Sequence, residues 1–289
     1  MDLDLDQLRA LAATVAAGTL DGAARELHLT PSAVSQRLRA LEAATGRVLL
    51  VRSRPVQVTG SGAVLLRLAR QVALLTADAT RELAGDGAQQ APVTLPVAVN
   101  ADSLATWVLP ALAPLAAEYA FELHREDQEH TAALLRDGRV LAAVTTDAQP
   151  VPGCTVTRLG GMRYRPMATA AFTGRWFPDG VPTAALARAP VVVFDRRDDL
   201  QHGYLRRRGV TTAPPTHHVP ASAELVTAVR LGLGWGMVPE QQEPAGELVV
   251  LDPDGAVDVV LYWQQWRLGS PGLDRVAAAV LAAARRRLR

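Results

Sequence analysis

The stretch TPSAVSQRLRALEAATG, residues 30–46, constrains this chain more than any other. Thr30 can cap a helix with its hydroxyl, and Pro31 suits the first helical position, where no backbone donor is needed. Val34, Leu38 and Leu41 recur at helical spacing and make one apolar face. Ser32, Ser35, Gln36 and Arg39 recur on another face, which carries only hydrogen-bonding and cationic groups. Gly46 supplies the stop. An amphipathic helix with a solvated polar face explains these residues as well as a recognition surface does, so the neighbours decide.

Upstream, Leu5, Leu8, Leu11, Ala12 and Val15 make a first amphipathic helix ended by Gly18. Asp21 reads as the cap of a short second helix, GAARELH, whose Ala23, Ala24 and Leu27 allow close packing, and His28-Leu29 is the turn. Two helices so joined are the pattern of a helix-turn-helix, whose second helix puts its N-terminal residues against base edges. Downstream, 48–51 is strand-like, followed by Arg52-Ser53-Arg54-Pro55 and then Val56 and Val58. That predicts a two-stranded wing with an arginine-bearing tip. The net charge of +1 says nothing of a nucleic-acid partner, but residues 37–54 hold five arginines against Glu42 alone. Arginine suits phosphate contact and entry into a narrow minor groove. Helix, turn, polar-faced helix and basic wing in series favour DNA binding.

The segment closely resembles the winged helix-turn-helix of LysR-type transcriptional regulators: Ala23-Ala24, Leu41-Glu42, Gly46, Arg52, Thr59 and Gly62 fall where that pattern wants them. The resemblance implies double-stranded promoter DNA as partner, met by Thr30, Pro31, Ser32, Ser35, Gln36, Arg39, Arg52 and Arg54. Pro31 stands where many relatives carry a glutamine able to contact a base, so base reading falls to Ser32, Ser35 and Gln36. Arg39 and Arg52 would grip phosphate, which positions without choosing a sequence.

Residues 61–83 form one long helical pattern in which Leu65, Leu68, Val72, Leu75 and Ala79 alternate three and four apart, as on a coiled-coil seam. After a DNA-reading module it resembles the family's linker helix, implying a homodimer or homotetramer. Two heads a helical turn or more apart also multiply specificity. GDGAQQAP, 85–92, breaks the pattern. The expected domains are a winged helix-turn-helix over 1–60, a linker over 61–90 and an effector-binding domain over 91–289.

Beyond Pro92 strands (93–99, 121–124, 140–145, 191–194, 236–239, 257–263) alternate with helices (104–119, 131–137, 223–231, 273–288). That predicts α/β structure with largely parallel sheets, in an α+β chain overall. Ligands of such sheets sit beyond strand carboxyl ends, near helix N-termini. Those ends hold Asp102, Glu126, Asp127, Glu129, Asp147, Asp195, Asp198 and Asp199. Each alone is ordinarily a solvated carboxylate or a helix cap; together they bias toward a cationic ligand.

Here the resemblance narrows. VNADSLATWVLPALAPL, EDQEHTAALLRDGRVLAAVTT, APVVVFDRRDDLQ and LYWQQW are similar to the regulators of lysine and arginine export within that family. It implies an effector domain like periplasmic binding proteins, with subdomain I over 91–162 and 268–289 and subdomain II over 163–267. It also implies that Ser103 binds an effector carboxylate. A basic amino acid needs a hydroxyl and a helix start for its carboxylate, for which Ser103 and Thr106 are candidates. Its two cations need acidic partners: Glu126 or Asp127, Asp147 and Asp195, with Thr145 adding a hydroxyl. Glu224 reads as a surface charge and Trp107 as a packing residue between the subdomains.

The expected function is a regulator, and an activator, that senses lysine or arginine, alters DNA bending or contact with RNA polymerase, and controls an exporter gene. The alternatives are a LysR-type regulator of another small-molecule pathway and a solute-binding module. No catalytic residue, metal or cofactor is expected: His124 and His130 are too far apart for a one-turn zinc motif, and His217-His218 is a lone pair. GLGWG, 232–236, lacks the strand and helix of a phosphate loop. Cys154, the only cysteine, reads as a passive thiol, and the arginine runs at 206–208 and 285–287 as exposed helix-end charges. The acidic N-terminus is no secretory signal and no apolar run has membrane length, so a cytoplasmic protein is expected.

Overall fold

The computed structural model describes residues 3–51, 53–84, 92–125, 128–243 and 246–289, with 128–130 described as backbone only. Two compact units divide it: Met1–Val99 with Pro114–Thr157 and Trp263–Ala278, and Asn100–Ala113 with Arg158–Tyr262 and Ala279–Arg289.

The first unit opens with α1 (Leu5–Ala17), α2 (Leu20–Glu26) and α3 (Pro31–Thr45). Each starts on a side-chain oxygen that takes an orphan backbone N–H, from Asp4, Thr19 and Thr30 respectively. Asp21 was expected to cap α2 but lies inside it, because Thr19 holds the extended backbone and accepts from the Gly22 N–H at 3.0 Å. Leu5 points outward, 49% exposed, while Leu8 and Leu11 enter a core with Val34, Leu38 and Leu41. The wing pairs β1 (Leu50–Val51) antiparallel with β2 (Gln57–Val58), Leu50 opposite Val58. Helix α4 (Gly60–Ala84) follows at once, and its Leu65, Leu66 and Ala69 complete the core of the head.

Then comes β3 (Val93–Val99), followed by two short helices of the second unit, α5 (Ala101–Ser103) and α6 (Leu109–Leu112). The first unit resumes with β4 (Tyr119–Arg125), α7 (Gln128–Arg136) and β5 (Ala142–Thr145). Strand β3 lies parallel to both β4 and β5, with Val93 opposite Tyr119 and Val97 opposite Ala142. Val97, Ala98, Val99, Ala142, Ala143 and Val144 are all buried, as the middle of a parallel sheet covered on both faces requires.

The remaining elements are β6 (Cys154–Ala168), α8 (Ala170–Trp176), α9 (Thr183–Leu186), β7 (Val191–Val193), α10 (Leu200–Arg207), β8 (Thr216–His218), α11 (Ser222–Arg230), β9 (Gly236–Pro239), β10 (Val249–Val250), β11 (Val257–Trp266) and α12 (Pro271–Arg287). In the second unit β7 and β8 are parallel, but β6 pairs antiparallel with β9 and β10, against the largely parallel expectation. Met167, Val192, Leu225, Val229 and Val238 form its core.

The helix expected over 104–119 starts earlier and ends sooner. Between α5 and α6 the turn widens to a π-helix over Leu104–Val108. Pro110 lies just beyond that turn and has no N–H to bond back along it. The arginine run 206–208 is more than exposed charge: Arg206 pairs with Asp199, and Arg208 donates to Asp252 and to the Val181 carbonyl. Among the described residues no helix is long and apolar enough to cross a membrane.

Candidate nucleic-acid interface and effector residues

The reading head is built by local joinery. Glu42 accepts the Leu49 N–H at 2.9 Å, tying the end of α3 to the start of the wing. The Thr59 hydroxyl donates to the Val48 carbonyl at 2.8 Å and accepts the Gly62 N–H at 3.0 Å, fixing the wing to the first turn of α4. A Cβ on Gly62 would stand 2.0 Å from the Leu49 carbonyl oxygen, so only glycine fits there. The Val56 N–H bonds the Gly18 carbonyl, which fastens the far side of the wing to the end of α1.

On this frame Thr30, Pro31, Ser32, Gln36 and Arg39 are exposed and Ser35 is half-buried. Thr30 is already committed, accepting the Ala33 N–H and sharing a hydrogen bond with Ser32 at 3.0 Å. A groove of about 500 Å³ is lined by Ser35, Leu38 and Arg39 from α3 and by Val51, Ser53 and Arg54 from the wing. Arg39 and Arg54 thus bring one guanidinium from the helix and one from the wing to the same groove, whose lining also holds Asp21 and Glu42. Arg52 lies outside the described residues. Arg37 is turned away from this role, donating to Asp6 at 2.9 Å.

The effector candidates fall into both units. In the first, Thr145 is buried and its hydroxyl accepts the Asp147 N–H at 3.1 Å, while Asp147 is half-buried and accepts from Gln149 N–H. Glu126 and Asp127 lie outside the described residues. In the second, Ser103 is fully buried and its hydroxyl has no hydrogen-bond partner among the described residues. Thr106 spends its hydroxyl on the Asp102 carbonyl at 2.6 Å. Asp195 uses one carboxylate oxygen on the Arg197 and Asp198 N–H groups, and its side chain is 24% exposed.

Asp102 is the residue that sequence reasoning underused. Its carboxylate accepts the Tyr164 hydroxyl at 2.6 Å and the Ser222 hydroxyl at 2.5 Å, and Gln242 donates in turn to Ser222. Burial raises its pKa, against the lowering effect of the two hydroxyls. Burial likewise raises Asp198, helped by repulsion from Asp102 and Asp195 and opposed by the N–H groups of Leu200 and Phe194. The only sequence signal was an acidic residue beside Ser103 at a helix start. Cys154 is buried and its thiol is pushed up to about 11, so it stays protonated and unreactive at neutral pH.

A winged helix-turn-helix on a long helix, followed by α/β structure with a buried serine and a half-buried aspartate at a helix start, defines a ligand-responsive DNA-binding regulator. The chain belongs to the LysR family of bacterial transcriptional regulators. Residues 5–63 match the bacterial regulatory helix-turn-helix of the lysR family, and residues 88–285 match the LysR substrate binding domain. It is similar to the HTH-type transcriptional regulator LysG of Mycobacterium tuberculosis, 46% identical over 288 residues, 98% of this chain and 94% of that one. The crystal structure of ArgP from M. tuberculosis superposes with a TM-score of 0.84 at 44% identity, covering 100% of this chain and 99% of that one. Full-length LysG from Corynebacterium glutamicum with bound effector Arg gives 0.75 at 40% identity, covering 99% and 100%.

Proposed function

We propose that this regulator senses a basic amino acid, arginine or lysine, and switches on a gene for its export. The observation that carries the reading is the likeness, over nearly its whole length, to a LysG structure holding arginine. The chemistry agrees: in the second unit Asp102, Asp195 and Asp198 supply half-buried carboxylates, and Ser103 supplies a buried hydroxyl with no partner among the described residues. A buried carboxylate without a cation is costly, and an ammonium or guanidinium relieves that cost.

In this reading Ser32, Ser35 and Gln36 read base edges, and Arg39, Arg52 and Arg54 hold phosphates. Two copies pair through α4: of the stripe expected there, Leu65 is buried in the core of the head and Leu68 packs against it, which leaves Val72, Leu75 and Ala79, with Leu75 40% exposed. The active form binds promoter DNA in the cytoplasm as a dimer or tetramer and contacts RNA polymerase. A mobility shift on the DNA upstream of a neighbouring exporter gene, with and without arginine or lysine, tests it. A specific shift that either amino acid alters is expected; no specific shift under any condition overturns the reading. Calorimetry on Asp147→Ala and Asp195→Ala tests the carboxylates, and unchanged affinity for both amino acids removes those two from the site.

A further inference from the structure

Helix α4 carries two stripes. The apolar one faces outward, as above. The other, Arg67, Arg70, Leu74, Asp78 and Arg81, is spent on the helix's own unit. Arg67 Nη1 donates to the Arg136 carbonyl at 3.4 Å and Arg70 Nη1 to the Gly138 carbonyl at 3.2 Å, both in the loop from α7 to β5. Asp78 accepts the Ser270 hydroxyl at 2.5 Å, and the Arg81 guanidinium stands 5.1 Å over the Tyr119 ring. Gly138 has φ +65°, and a Cβ there would lie 2.4 to 2.6 Å from the Cβ and backbone of Arg67. Loop backbone thus meets helix backbone with no side chain between, and contacts this close transmit displacement.

The Arg67 guanidinium also lies 4.7 Å over the ring of Trp266, the last residue of β11. Against the same ring lies Gly153, where a Cβ would stand 2.6 Å from the indole, and the Arg267 N–H bonds the Gly153 carbonyl. Gly153 immediately precedes β6. Strands β6 and β11 both run on from this point into the second unit. Trp266 thus touches both Gly153, just before β6, and Arg67, whose chain neighbours Leu65 and Leu66 lie in the core of the reading head.

We propose that Arg67 and Arg70, seated on the 136–138 loop and on Trp266, form the regulatory contact that relays effector occupancy to the reading head. The inference rests on the effector-sensing reading above. Relay requires that the effector prefer one arrangement of this contact over another.

The test uses the full-length chain, with arginine and lysine as probes and a DNA fragment that the wild type selects from a random pool. Arg67→Met combined with Arg70→Met keeps the aliphatic stems and removes the donors and charges. Calorimetry reads amino-acid affinity; anisotropy and footprinting read DNA affinity and the length of protected DNA, with and without arginine. The double variant is expected to bind arginine within about twofold of wild type. Its arginine-dependent change in DNA affinity or footprint shrinks at least about fivefold, roughly 1 kcal/mol of coupling. Arg67→Lys, which keeps a cation near the ring, recovers part of the response. A double variant that responds as the wild type does overturns the relay alone, as does one that has lost arginine binding itself. A wild type indifferent to both amino acids overturns the sensing reading, and the relay with it.

Discussion

One methyl group at position 62 would collide with the Leu49 carbonyl, whereas a methyl at Gly60, two residues earlier, meets nothing within 4 Å. Gly62→Ala is therefore expected to destabilise the head by about 1–3 kcal/mol, and Gly60→Ala to stay within about 1. Thermal unfolding followed by circular dichroism separates them, and equal losses would contradict the geometry. In the recognition helix, Gln36→Ala should cost about 1–3 kcal/mol at one base position, while Arg54→Ala should weaken all sequences alike and lower the salt slope by about one. Anisotropy over a salt series with operator variants reads both. The buried Asp102 makes a prediction in pH. Its folded pKa lies above the ordinary 3.8, so its contribution is fully present below 3.8 and is lost as pH rises through the raised value. Asp102→Asn removes that loss, leaving a flatter stability profile over that window, with the part carried by Asp198 still in place. A profile identical to wild type in urea titrations at several pH values would count against the buried carboxylate.

Among the elements, α4 shows how one helix serves two partners. Its polar stripe is satisfied within the chain, and its apolar stripe is left open. Leu75→Glu alters only an exposed position of the single chain, so helicity should persist while sedimentation shifts toward monomer. An unchanged sedimentation coefficient would exclude that stripe as the pairing surface. Helices α1, α3 and α4 were legible because caps, glycine stops and 3.6-residue spacing are written within a few residues of one another. Strand β6 was not: Gly160, Gly161, Arg163 and Pro166 blur any alternation, and it is a strand because β9 and β10 pair with it. The widened turn before Pro110 was also unforeseen, since the proline fixes where a bond is missing but not how the helix absorbs it.

For the molecule as a whole, a ligand that binds only the folded chain stabilises it by mass action. At about 100 times its dissociation constant, arginine should add about 2.7 kcal/mol to the unfolding free energy. A thermal-shift screen of the free amino acids should rank arginine and lysine first, and a flat response to both would sink the assignment of effector. The sequence by itself determined the helices of the reading head and the polar face of α3, because the signals that set them are local: Thr30 caps α3 by accepting the N–H three residues on, and Glu42 reaches Leu49, seven residues on. In the residues themselves effector chemistry was visible as a bias toward acidic side chains, and the family resemblance added Ser103. Asp102 finds Tyr164 across 62 residues and Ser222 across 120, and Arg67 meets Arg136 across 69. Which carboxylate is buried, and which face of the long helix is spent, depends on packing between segments that no periodicity links, and only the tertiary structure decided it.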